Sequence, residues 1–328
     1  MVLARSYGAV NGASMTRPWL SAALVLATTA CSNVQSVRDG LPQAADISIP
    51  LGSSQALSER SSLYLVTYGV TSTVNGGVGW VLTVLHGIAS LPPTTQAGKT
   101  WTWGPSTPHG LEPKNNYKLT ATLNADRSVS YDLYGKTVDE PDSTVGWHVL
   151  VSGSHVKGIP GQSGSGTMLL DFDAASRLDH AAADSSAVGK ADVTYGFVLD
   201  KGYQVAVVFK GVRDGNSGRV MDANYNFTKV AAGPGTFDFV SATDLRGDGS
   251  IENLSVRSRW MDTGVGRSDV KASGGSLAST ATGSQCWDKN FNTIFADYSW
   301  DASKNEGQPS ACDPGFQQAS YSDLQIPN

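Results

Sequence analysis

The chain has 328 residues, 16% charged and 40% hydrophobic, with a net charge of −5. That composition is globular, and it offers no basic stripe for nucleic acid or an anionic membrane surface. Its 36 glycines suit a turn-rich β protein.

Residues 15–31 read MTRPWLSAALVLATTAC. Arg17 supplies a short basic region, residues 19–30 carry no charge, and the small residues Thr28, Thr29 and Ala30 precede Cys31. This is the tripartite layout of a secretory signal, with Met15 as a candidate start. The apolar run of about 12 residues is too short to span a bilayer. Its ending resembles the lipobox of bacterial lipoproteins, although Thr28 stands where a leucine or similar residue is usual. The resemblance implies a signal peptide over residues 1–30, an acylated Cys31 as first mature residue, and a lipid anchor in a membrane outside the cytoplasm. Ser32, in place of an aspartate, implies the outer membrane. An ordinary secreted protein with a stray cysteine is the competing reading.

Residues 31–56 are rich in Ser, Gln, Gly and Pro, and read as the lipidated cysteine followed by a flexible tether. Residues 57–328 then read as a single domain. Val74, Val78, Val81, Leu82, Leu85, Ile88 and Leu91 recur at helical spacing, and Pro92 and Pro93 stop that helix. Gly76, Gly77 and Gly79 weaken it by propensity and are expected to let another element approach closely. The preceding residues 61–70 are open to either helix or strand.

From Tyr117 the period becomes two. Tyr117, Leu119, Ala121 and Leu123 alternate with polar residues, as do Val129, Tyr131 and Leu133. Similar short runs continue to Leu254 and Val256, separated by turns such as Asp200-Lys201-Gly202. Such runs make an antiparallel meander of about ten or eleven strands. Trp101 and Trp103 share one strand face and are expected in the core. The fold class is therefore α+β: a large curved β-meander, a half-open barrel, wrapped around one apolar helix. With Cys31 carrying lipid, Cys286 and Cys312 remain of the three cysteines. They are expected to form a disulfide, worth ~3–4 kcal/mol through loop closure, that staples the polar C-terminal segment. No cysteine or histidine spacing suggests a metal site, and no cofactor is expected.

The order of several motifs resembles a family of bacterial lipoproteins of uncharacterised activity. These are Val74-Asn75-Gly76-Gly77-Val78, Leu91-Pro92-Pro93, Trp103-Gly104-Pro105, Gly164-Ser165-Gly166-Thr167 leading to Asp171-Phe172-Asp173, Ser258-Arg259-Trp260, and Cys286-Trp287-Asp288. The resemblance spans most of the mature chain and implies no chemistry. The outline alone also resembles the half-open barrels of periplasmic lipid and lipoprotein carriers, which implies an apolar space beside the helix.

Four sets of residues invite a chemical reading. Val84-Leu85-His86-Gly87 and Gly161-Gln162-Ser163-Gly164 echo the base and nucleophile of a serine hydrolase. Against this, His86 falls within the helical pattern, Ser163 lies in a Gly/Ser loop, and Ser165 spoils a lipase elbow. Asp244, Asp248, Gly249 and Glu252 partly fit a calcium loop, but Arg246 takes a donor position and Ser255 the closing one. Arg257 and Arg259 share a face, with Arg267 and Asp269 following. They read as solvated ion pairs, or as headgroup ligands if that face is concave. The several tryptophans could stack on sugars but read as core.

The resulting expectation is a non-catalytic envelope lipoprotein. It would bind a hydrophobic small molecule or lipid between helix and sheet, or serve a structural role. The alternatives are a hydrolase using Ser163 and His86, and a calcium-dependent adhesion or assembly module using Asp244, Asp248 and Glu252.

Overall fold

The structure, a computed structural model, describes residues 34–50, 60–106, 114–138, 146–159, 163–178, 188–198, 202–213, 220–230 and 233–327. The signal segment, Cys31 and residues 51–56 of the expected tether lie outside the described residues.

The long helix α1 spans Ser62–Ser90. Residues 61–70 are thus its cap and first turns, with the Ser61 side chain accepting the Tyr64 N–H at 3.3 Å. Tyr64, Thr67 and Thr71 are buried in step with Val78, Leu82 and Leu85, so the core-facing stripe runs from the first turn onward. A methyl built on Gly76, Gly77 or Gly79 would meet nothing within 4 Å. These glycines therefore do not serve the close approach expected of them.

The strands are β1 (Thr95–Ala97), β2 (Thr100–Ser106), β3 (Asn115–Leu123), β4 (Val129–Thr137), β5 (His148–Val156), β6 (Ser165–Asp171) and β7 (Lys190–Val198). After them come β8 (Gly202–Arg213), β9 (Val220–Lys229), β10 (Gly235–Thr243), β11 (Glu252–Trp260), β12 (Gly266–Gly274), β13 (Ala281–Trp287), β14 (Thr293–Tyr298) and β15 (Glu306–Gly307). A one-turn helix α2, Phe172–Ala175, follows β6. The fifteen strands among the described residues form one sheet in chain order, each antiparallel to the next. The meander is thus longer than the ten or eleven strands expected. The edge strands β1 and β15 have three and two residues, too few to show a period, and β13 and β14 bury runs of neighbouring residues rather than alternate ones.

Alternation decides which residues face the helix. Asn115, Tyr117, Leu119 and Ala121 are buried along β3, and Val129, Tyr131 and Leu133 along β4. Trp101 and Trp103 are buried in β2 as expected. Ser258 reaches Thr67 of α1 at 2.6 Å, which assigns the even-numbered face of β11 to the helix side.

The largest departure concerns the tether. Val37–Asn328 forms one compact unit, so the folded body begins about twenty residues before position 57. Val37, Leu41, Ile47 and Ile49 are at most 2% exposed. Residues 37–50 run antiparallel beside α1: Arg38 donates to the carbonyls of Ala89 and Leu91, Pro42 lies at His86, and Ile49 exchanges two hydrogen bonds with the Asn75 amide. Four apolar residues scattered among Ser, Gln and Pro lack a period, yet each finds a partner once helix and sheet are assembled. This strap fills one flank of the space between helix and sheet.

Candidate functional site

On the other flank of α1 a crevice of about 170 Å³ remains. Val84 lies about half a turn round the helix from Asn75, where the strap is bonded. The helix contributes Trp80, Val81 and Val84. The sheet contributes Leu133, Val151 and Leu170, which pair directly across β4, β5 and β6 and so form one row on one face. Phe172 and Ala175 of α2, with Leu178, close the end. Asp171 is the one ionisable carboxylate in this lining, and it is engaged: Oδ1 caps α2 by accepting the Ala174 N–H, and Oδ2 lies 2.9 Å from Lys190 Nζ. The lysine holds the carboxyl below its ordinary range against the opposing effect of burial. Trp80 is 60% exposed and stands at the solvent edge.

The hydrolase residues are not brought together. His86 lies on α1 with Nε2 at 2.9 Å from the Pro42 carbonyl and 3.2 Å from the Gln43 amide, held by the strap. Ser163 is exposed, and among the described residues no hydrogen bond joins it to His86 or to any other base.

Beside Ser163 lies a buried polar cluster that sequence reasoning missed. Asp46 of the strap accepts the Gly164 N–H at 2.6 Å and the Gln43 N–H at 2.8 Å. Its Oδ2 lies 3.6 Å from His155 Nε2, and His155 Nδ1 lies 2.9 Å from the Tyr195 hydroxyl. Tyr203 donates to the Asp46 carbonyl. Burial pushes the imidazole of His155 below its ordinary pKa, against the pull of Asp46, and raises the phenols of Tyr195 and Tyr203. With both ring nitrogens of His155 engaged, the cluster fastens the strap to the sheet. No sequence signal joins a lone Asp in a polar tract to a His more than a hundred positions later.

The calcium-loop residues close their own turn. The Asp244 carboxylate accepts the N–H groups of Asp248 and Gly249. Asp248 accepts the Ser250 N–H and the Ser276 hydroxyl. Glu252 is fully buried and accepts the N–H groups of Leu245 and Ser276. No group of three or more metal-capable side chains occurs among the described residues.

Arg257, Arg259 and Arg267 lie on the sheet face away from the helix, opposite in parity to Ser258. They are therefore not headgroup ligands on the helix side, and their low exposure shows that they are not solvated pairs either. Arg257 pairs with Asp238 at 2.6 Å, while Arg259 and Arg267 both pair with the fully buried Asp269 at 3.1 and 2.7 Å. Arg267 also donates to the carbonyls of Phe316 and Gln317, Arg259 to that of Gln318, and Arg257 to the Ser320 hydroxyl. The arginines thus clamp the C-terminal segment across the sheet, and the Cys286–Cys312 disulfide anchors its start.

Comparison of the chain with protein-family models, curated proteins and solved structures found no match.

Proposed function

We propose that this protein is a cell-envelope lipoprotein, anchored in the outer membrane through acyl chains on Cys31, that binds a hydrophobic ligand without transforming it. The apolar crevice between α1 and the row Leu133–Val151–Leu170 carries the proposal. Burying apolar surface is worth ~25 cal/mol per Å², and this crevice demands no compensating polar contact, because its one carboxylate is already paired. The signal-like residues 15–31 supply the anchor and the address. The separation of Ser163 from His86, and the engagement of both ring nitrogens of His155, favour binding over hydrolysis.

Native mass spectrometry of the full chain carrying Cys31→Ala, expressed in the periplasm, tests this. Solvent extraction of the same sample identifies what travelled with it. A stoichiometric hydrophobe is the expected result. A clean apo mass with an empty extract would sink the binding reading and leave a structural role. Recovery of the unmodified chain from the cytosol, without an acylated Cys31, would sink the lipoprotein reading.

A further inference from the structure

We propose that the crevice takes the methyl end of a single straight alkyl chain, about six carbons of it, and excludes ligands that must bury a fused ring system or two chains. The inference rests on the hydrophobic-ligand reading and names its ligand class.

Size makes the first selection. A cavity of ~150 Å³ accommodates one benzene, whereas pockets for drug-sized molecules run to ~300–1,000 Å³. At about 170 Å³ the crevice holds roughly six carbons and no more. Its walls make the second. A helix with Val81 and Val84 faces a flat row of Leu133, Val151 and Leu170, so the space is a slot between two apolar surfaces. Polarity makes the third. Asp171 is satisfied by Ala174 and Lys190, so the slot offers a headgroup no free charge. The polar end of the ligand therefore stays at the rim. There Trp80, exposed on one side and apolar on the other, covers the first methylenes.

Gly135 packs against two residues of the slot. It sits in β4 opposite Tyr117, next to the row that lines the slot. A methyl on Gly135 would lie 2.7 Å from both Leu150 Cδ1 and Leu178 Cδ1. Those two leucines line the crevice, and any side chain at 135 must displace them, which changes the space they border.

The test is a binding titration of the full chain carrying Cys31→Ala with straight-chain alkyl glucosides from butyl to decyl, each below its micelle concentration, followed by NMR. Affinity is expected to rise roughly fourfold per added methylene and then level off once about six carbons are housed. Ala175→Phe, which fills the slot from α2, is expected to abolish the rise. Gly135→Ala, acting through Leu150 and Leu178, is expected to shorten the series before it levels. If one variant fails to fold, the other and the wild-type series still decide. A rise that continues to decyl, or one untouched by these variants, overturns the alkyl-end assignment and places apolar binding elsewhere. Failure of every glucoside, with a bulkier hydrophobe found in the solvent extract, overturns the assignment and leaves the ligand-binding reading standing. Failure of the glucosides with an empty extract removes both.

Discussion

The backbone of Gly164 is packed against the ring of His155 so closely that a methyl at 164 would lie 2.1 Å from His155 Cε1 and 2.8 Å from the Val156 carbonyl. The same backbone donates to Asp46, 118 residues away in sequence, and so joins the strap to the start of β6. Gly164→Ala is expected to cost about 1–3 kcal/mol, because the ring is held between Asp46 and Tyr195 and moving it breaks those contacts. Urea denaturation measures it. An unchanged midpoint would mean that the ring yields freely and that the cluster does not hold the strap.

His155 gives the strap a pH dependence of defined sign. Burial holds its folded pKa below the ordinary 6.5, with Asp46 opposing. The unfolded chain then binds the proton more readily than the folded one. This contribution to stability is complete above about pH 6.5 and declines as the pH falls below it. The unfolding free energy is expected to fall as the pH drops below that value, until the folded imidazole is itself protonated, and His155→Gln to flatten that part of the curve. An identical slope in the variant would assign the decline to other groups.

Asp269 concentrates the C-terminal clamp in one residue. It is fully buried and accepts from Arg259, Arg267, Ser284 and the Ser320 N–H. Asp269→Ala leaves a buried guanidinium without its counter-charge, an imbalance that costs about 3–5 kcal/mol. Limited proteolysis with mass mapping is expected to show new cleavage within residues 314–327. Replacing Cys286 and Cys312 together is expected to cost ~3–4 kcal/mol for a closed loop of this length while leaving those cleavage sites protected. New cleavage in the cysteine variant alone would make the disulfide, not the arginines, the clamp.

The loop at residues 244–252 separates stability from metal binding. Calcium is expected to leave the melting temperature unchanged, since Asp244, Asp248 and Glu252 already accept protein donors. Glu252→Ala orphans the Leu245 and Ser276 N–H groups and is expected to lower stability by ~2–3 kcal/mol. A melting temperature that rises with calcium would revive the adhesion-module reading.

Much of the scaffold was legible in the chain because it rests on local periodicity. The alternation of Tyr117, Leu119 and Ala121 with polar neighbours defined β3 and its buried face, since successive strand residues point to opposite sides. The three- and four-residue spacing from Val74 to Leu91 defined the latter half of α1 for the same kind of reason. The pairing of Cys286 with Cys312 followed from counting cysteines.

Which face is inside, and what lies on it, was decided only by the assembled sheet. Alternation placed Arg257 and Arg259 together, but only the contact of Ser258 with Thr67 shows that they face away from α1 and toward the C-terminal segment. Residues 37–50 carry no long apolar period: their own hydrogen bonds make only short helical turns, such as Ala44–Asp46, and which of their side chains are buried is decided by the groove they fill. At the crevice beside Trp80, a methyl on Gly135 would strike Leu150 and Leu178, two lining residues brought there from elsewhere in the chain. Local sequence determines the period and partition of each element, whereas cavities and buried pairs arise where distant elements meet, so only the tertiary structure could reveal them.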